Sequence, residues 1–556
     1  MNEANLKALT TECQEQNILG KRKRDTRLEV VENALARLKL EGDAGQLLPA
    51  ILATLEAEKA ERKAAKRVAK IQKSSKPSAE TTLGYTETQD QLLPVKTGFD
   101  VAIISSAQNN TITTGFEQEL IDLQKDLESQ GYKAEIMVLP VYYNKNAFDP
   151  HAESEMQYFN TAIRDYMIEQ DCWLWERGAV RLAAQAGVLP TAKMPINAAG
   201  LLNTGELCTV VGSPKQQYKT LPRLNDQAIR KAVTTGSVTG YNYKRGRAGS
   251  EAEKDHRQGA IIAYKCDEGY NVTNAMQGDN GKLELLIPEL EYQYNNAPVA
   301  CKLGDLHCEV ADDQYWAKQM YFLEKIRPSV IAVDDILHFS TRSHHNRGSG
   351  KHLYATQGET VSNDLSKVIE QLTELSDICD EVMITESNHN SALDNWLDDS
   401  SYNVKTDASN SKIYHLLNWL VCDTMDQGEG AKNALQIALE NADLAKLGPL
   451  PDNIVFGRMD VPYKPYKYDY SQHGHKGQNG ASGSASQFKN WSLPLITGHT
   501  HSPAILGSIF TSGVTARLMQ GYNRGGASSW DHGSIFEYQN GSVQLITLNA
   551  QIVIDF

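Results

Sequence analysis

Between residues 297 and 501 the chain carries five short runs of Asp, Asn and His in order, most of them where an apolar run gives way to a loop. The run Ala297-Pro298-Val299-Ala300-Cys301 leads into Gly304-Asp305-Leu306-His307, and Val330 to Val333 leads into Asp334-Asp335-Ile336-Leu337-His338. Ser387-Asn388-His389-Asn390, His473-Gly474-His475 and Gly498-His499-Thr500-His501 complete the series. Open α/β sheets gather their ligands at the carboxyl ends of strands, so such a series constrains both fold and chemistry. Side chains two apart on a strand share a face, which predicts that Asp305 and His307 project together, and His499 with His501. Twelve of the 14 histidines lie beyond residue 300, which places a metal or catalytic centre in the C-terminal half.

Strand and helix patterns alternate around these runs. A helix is expected from about Asp312 to Lys325, a strand over Val330 to Val333, a helix from about Asn363 to Leu375 and a strand over Glu381 to Ile384. More helices are expected between Ile413 and Leu447, and Leu493 to Ile496 leads to His499 in a β-rich last hundred residues. This alternation predicts a two-layer sheet sandwich flanked by helices over residues 297–556. Before it, Asp100 to Ile104, Phe116 to Ser129 and Ala134 to Leu139 read as strand, helix and strand, the start of an accessory α/β domain over 97–296. Residues 76–96 read as a linker rich in polar residues and proline. Residues 1–75 read as a helical arm with Leu28, Val31, Leu35 and Leu38 at helical spacing.

Charge divides the chain. The whole carries −14, yet residues 1–76 hold 16 Lys/Arg against 11 Asp/Glu, a net +5 that leaves −19 for the remainder. Lys21 to Arg24 and Lys59 to Lys73 are the basic clusters. A solvated helix face is the plainer reading, and an arm for nucleic acid or self-association is the sharper one. The overall negative charge argues against nonspecific coating of nucleic acid without excluding a local basic groove. No apolar run approaches the roughly 18 residues of a membrane span, and no signal-like segment opens the chain, so a soluble cytoplasmic protein is expected. Eight cysteines without C-x-x-C spacing read as reduced thiols.

Asp, Asn and His without cysteine are the mixture of hard and borderline donors that holds a pair of catalytic divalent ions and argues against a structural zinc. Two such ions, about 3.5–4 Å apart, clamp the attacking and leaving oxygens of an in-line displacement. The ordered set resembles the calcineurin-like metallophosphoesterases, and within them the SbcD-like nuclease branch, over about residues 297–556. The resemblance implies a metallophosphoesterase-type two-layer β-sandwich. It implies a first metal held by Asp305, His307 and His501, a second held by Asn388 and His499, and His473 as a further ligand. Asp335, at the family's spacing from His338, would bridge the two, with Asp334 one residue too early. His475 is the alternative to His473. His389 would face the scissile phosphate as transition-state stabiliser or leaving-group acid, and His338 joins it as a catalytic candidate.

Three positions depart from the family pattern: Asp334 and Ser387 stand where it has glycine, and Asn390 stands where it has an acid. The last puts the orientation of His389 in doubt. The segment Arg342-Ser343-His344-His345-Asn346-Arg347 matches a basic stretch of the nuclease branch, which implies that Arg342, His344 and Arg347 contact a polynucleotide backbone. The whole chain has a weaker resemblance to the pre-early host-DNA-degradation proteins of T5-like bacteriophages. The expectation is therefore a manganese-dependent DNA nuclease, with magnesium as the alternative ion, acting in the bacterial host cytoplasm. Its partner is DNA and not a membrane; a homo-oligomer and a second phage or host protein stay open. A metallophosphatase or small-molecule phosphodiesterase is the first rival, and a DNA-binding scaffold with a structural metal centre is the second.

Overall fold

The computed structural model describes residues 3–15, 24–55, 93–143, 159–224, 227–342, 350–356, 358–429, 432–491, 493–521 and 523–548. The chain divides into two compact units, residues 1–91 and 92–556. In the first, helices Glu3–Glu15, Arg24–Leu38 and 44–55 pack about Leu9, Val31, Ala34, Leu35, Leu48 and Ile51. The expected apolar stripe is the face they share: Val31 and Leu35 are buried, and Leu28 and Leu38 sit at its margin. The basic clusters at 21–23 and 59–73, and most of the expected linker, lie outside the described residues.

The second unit is mixed α/β. A six-stranded sheet runs in the order Ile454–Gly457, Glu381–Thr385, Val330–Val333, Ala300–Lys302, Ser534–Glu537, Val543–Ile546. Its first four strands are parallel and its last two antiparallel. Strands covered on both faces carry unbroken apolar runs, as Val330–Val333 does. Cys301, Ile331, Val333, Val382 and Ile384 turn to helices Asp313–Ile326 and Val361–Ser376, meeting Leu323, Leu365, Val368 and Leu372. The alternate residues Ala300, Ala332 and Met383 face the other way, onto Val210, Tyr218, Val233, Ile496, Ile505 and Phe510 of a second sheet. Each of these large apolar side chains contributes about 1.5–3 kcal/mol by leaving water. Polar side chains cap both helices: Asp312 accepts from Tyr315 N and Thr360 from Asn363 N.

The second sheet has nine strands, ordered Val95–Lys96, Cys172–Leu174, Val180–Ala183, Cys208–Val211, Arg230–Gly236, Ser213–Leu221, Ala504–Leu506, Ile509–Thr511, Leu495–Thr497. The expected boundary at residue 296 falls inside this unit, because Ser213–Leu221 pairs antiparallel with Ala504–Leu506. The accessory segment thus supplies strands to the same sheet as the C-terminal one. Local patterning identifies a strand but not its partner, and here the partner is nearly 300 residues away. A four-stranded sheet holds Val101–Gln108 and Ala134–Val141, with helix Phe116–Ser129 packed on it through Leu120, Leu123 and Leu127. Among the described residues, no helix is long and apolar enough to cross a membrane.

Candidate metal centre

The parallel strands of the six-stranded sheet end together, and the loops beyond them carry the candidate ligands. Asp305 follows Ala300–Lys302, Asp335 follows Val330–Val333, and Asn388 and His389 follow Glu381–Thr385. His499 follows Leu495–Thr497 of the second sheet. Asp305, His307, Asp335 and His473 are at most 1% exposed, an arrangement that charged and polar groups tolerate only with partners.

Strand alternation does not aim these side chains, contrary to the expectation. No strand runs through 305–307, and His307 is left-handed with φ of 47°. Asp335, His499 and His501 are left-handed too, at 42°, 72° and 54°. Such backbone costs on the order of 1–3 kcal/mol per residue and clusters at functional sites. The pair at 499 and 501 is consequently split. His501 Nε2 lies 3.0 Å from Asp305 Oδ2 and 3.1 Å from His307 Nε2, whereas the His499 ring packs 5.1 Å from that of His473.

Two groups of donors result, with one carboxylate between them. Asp305, His307, Asp335 and His501 bring ligand atoms within 4.8 Å of one another. On the other side, His473 Nε2 lies 3.2 Å from Asp335 Oδ2 and 3.0 Å from Asn388 Oδ1. Asp335 Oδ2 is also 3.9 Å from His307 Nε2, so this one oxygen faces both groups. Asp334 instead turns its carboxylate to Lys302 Nζ at 2.7 Å and to His473 Nδ1 at 3.1 Å. His475 lies behind His473, its ring 5.3 Å away. Backbone amides fix the carboxylates: His499 N–H donates to Asp305 Oδ2 at 2.9 Å and His389 N–H to Asp335 Oδ1 at 3.1 Å. Only glycine fits at 498, where a Cβ would run into the carboxylates of Asp305 and Asp334.

These residues fit a pair of divalent cations. His307 faces a ring nitrogen at each end, His501 Nε2 at 3.1 Å and His338 Nδ1 at 3.2 Å. Carboxylate oxygens of Asp305 and Asp335 join the nitrogens of His307 and His501 within 4.8 Å, a donor set suited to a divalent cation. Burial, with His389 and His501 adding to it, holds His307 well below the usual imidazole range. Burial and then His389 push His338 down to about 3, and burial and then His473 lower His499. Neutral imidazoles are the form that binds metal. For His473 burial acts downward, yet Asp335 and Asp334 outweigh it and hold the ring well above its ordinary value. In Asp335 burial acts upward and is outweighed by His473 and His389, so its carboxyl is held low.

Protein A1 of Escherichia phage T5 is 32% identical to the chain over 550 residues, covering 95% of each. The chain belongs to the family of that phage protein. Coverage of 95% leaves too few residues outside the match for either compact unit to be excluded from it. No family model matches the chain, and no solved structure matches it.

In this phage family member, His389 lies beside the donor groups, its ring 4.7 Å from that of His307. Asn390, which replaces the expected acid, does not reach it. Its amide joins Leu337 N and Thr385 O, and the carbonyl of His338 accepts from His389 Nδ1 at 3.3 Å. Arg342 is paired through two bonds, of 2.9 and 2.6 Å, with Asp407, so its guanidinium is engaged within the protein. His344 and Arg347 lie outside the described residues.

Sequence reasoning missed four contributors. Lys302 is fully buried under Asp334, and a lone lysine closing an apolar strand was its visible signal. Gly498 had only its place before His499. Glu309 accepts N–H bonds from His338 and Phe339 at 2.7 and 2.8 Å, and burial followed by Asp364 pushes its carboxyl up to about 8. Trp530 lays its ring 4.2 Å from that of His501. Neither of the last two has a local sequence signal.

Proposed function

We propose that the chain is a metal-dependent DNA nuclease of metallophosphoesterase type, hydrolysing phosphodiesters and serving a phage in the degradation of host DNA. The observation that carries this reading is Asp335 Oδ2, set 3.2 Å from His473 Nε2 and 3.9 Å from His307 Nε2. A single carboxylate shared between two imidazole-containing groups is what a two-ion phosphoesterase needs. Asp305, His307, Asp335 and His501 would hold one ion, and Asp335, Asn388, His473 and His499 the other. Manganese or magnesium, when bound, supplies Lewis acidity and lowers the pKa of water. The protein's own part is positioning. Backbone amides 389 and 499 keep the carboxylates of Asp335 and Asp305 turned inward. His389, with its Nδ1–H given to the His338 carbonyl, turns Nε2 outward; as the imidazolium, with a second proton on Nε2, it would donate to a phosphoryl oxygen or pass that proton to the leaving oxygen. The phage relative supports a phage setting; action on DNA in the infected cytoplasm is part of the proposal.

The engagement of Arg342 with Asp407 favours a second reading, a phosphodiesterase or phosphatase for small substrates, because it withdraws one expected contact to a polynucleotide. Digestion of linear and circular duplex DNA beside bis-nitrophenyl phosphate, with manganese, magnesium or chelator, separates the two. The nuclease reading expects manganese-dependent loss of linear DNA, with circular DNA lost as well where cleavage is internal and spared where it starts from ends. Good cleavage of the ester with DNA intact would replace it by the second reading.

A further inference from the structure

Asp334 occupies a position where the family pattern has glycine, and the structure gives its carboxylate a defined task. Oδ1 accepts from the ammonium of Lys302 at 2.7 Å, and Oδ2 accepts from His473 Nδ1 at 3.1 Å. Both side chains of the ion pair are 0% exposed, as is His473. Lys302 is fixed in turn by Thr385 Oγ1 at 3.2 Å and the Tyr470 carbonyl at 3.4 Å. With Nδ1–H given to Asp334, His473 turns Nε2 towards Asp335 Oδ2 and Asn388 Oδ1, at 3.2 and 3.0 Å. A cation bound at that point would replace the Nε2 proton and draw on all three electron-pair donors.

Asp334, His473 and Asp305 also lie close enough to form a donor group of their own. A cation there would compete with an ammonium 2.7 Å from the same carboxylate and would face the N–H edge of His473, so Asp334 is not itself a ligand. Ligating histidines generally donate their second nitrogen to a carboxylate or carbonyl, which fixes tautomer and ring orientation, and loss of that partner lowers metal affinity about 10–100-fold.

We infer that Asp334, neutralised by the buried Lys302, is a positioning residue that orients His473 towards the second of the two cations. The inference rests on the two-ion reading and adds a function for the residue that replaces glycine. Removing one member of the ion pair would leave a buried charge uncompensated and endanger folding, so the test removes both charges at once. Lys302→Met is combined with either Asp334→Asn, which keeps an oxygen to accept from His473, or Asp334→Leu, which does not. Manganese binding is followed by titration calorimetry, and coupling between paired ions by electron paramagnetic resonance; thermal melting checks the fold.

The parent is expected to bind two manganese ions with a coupled signal. K302M/D334N should keep the second ion within a few-fold of parental affinity. K302M/D334L should bind the first ion normally and the second about 10–100-fold more weakly, losing the coupled signal at stoichiometric metal while melting like the asparagine variant. Equal second-ion affinity in the two variants overturns the positioning role alone. A parent that binds no manganese overturns that role together with the two-ion reading.

Discussion

The carbonyl of His338 does for His389 what an acidic neighbour would do elsewhere, and this substitution has a measurable consequence. A backbone acceptor orients the ring without adding charge, and the backbone N–H of residue 389 that holds Asp335 survives loss of the side chain. His389→Ala is expected to cost on the order of 10²–10⁴ in kcat on DNA while leaving metal stoichiometry unchanged. Asp335→Ala should instead abolish binding of both ions, because its Oδ2 faces both donor groups. Calorimetry and steady-state rates on the two variants check the contrast. A second residue-scale prediction lies away from this centre. Burial pushes the His256 imidazole down to about 4 from 6.5, between Tyr243 Oη at 2.9 Å and the Thr239 carbonyl at 2.8 Å. The fold holds this ring neutral, so its contribution is complete above the unfolded value and is lost as pH falls from 6.5 towards 4. That shift corresponds to on the order of 3 kcal/mol. Denaturant titrations at pH 7 and pH 4.5 should show a smaller acid loss for His256→Gln than for the parent. At this scale much was legible in the sequence: Asp305, His307, Asp335, Asn388, His499 and His501 stand in short polar runs after apolar ones, and His473 stands in a His-Gly-His run. The left-handed backbone at His307, Asp335, His499 and His501 was not legible, because φ at a histidine or aspartate is set by what the folded loop demands and leaves no composition signal.

Elements whose pattern is local were readable, and those whose meaning is a distant partner were not. Helix Phe116–Ser129 has the bounds that its spacing predicts, and Val361–Ser376 exceeds its expected span by two residues at the start and one at the end. Val330–Val333 likewise follows from its own residues. The pairing of Ser213–Leu221 with Ala504–Leu506 follows from nothing local, since either strand would satisfy many neighbours. Helix Val361–Ser376 is held chiefly by its buried face. Leu372→Ala is expected to cost about 2–5 kcal/mol, and loss of the Thr360 cap by T360A about 1 kcal/mol. Urea unfolding of the two variants measures the difference directly; similar losses would mean that capping rather than packing anchors this element.

At the scale of the molecule, residues 92–556 behave as one compact unit in which strands from either side of residue 296 form a common sheet. A fragment of residues 297–556 keeps every candidate ligand but exposes the edge of Ala504–Leu506 and the apolar face of Ala300, Ala332 and Met383. It is expected to aggregate and bind no manganese, whereas residues 93–556 should stay monodisperse and bind two ions. Size-exclusion chromatography with metal analysis decides this. The shared sheet also bears on inheritance. Recombination can exchange gene segments, but a crossover near the codon for residue 296 would join strands that had never been selected to fit each other. The two halves of the gene are therefore bound to travel as one, and any lineage that acquires the loops carrying the candidate ligands must acquire their scaffold in the same event.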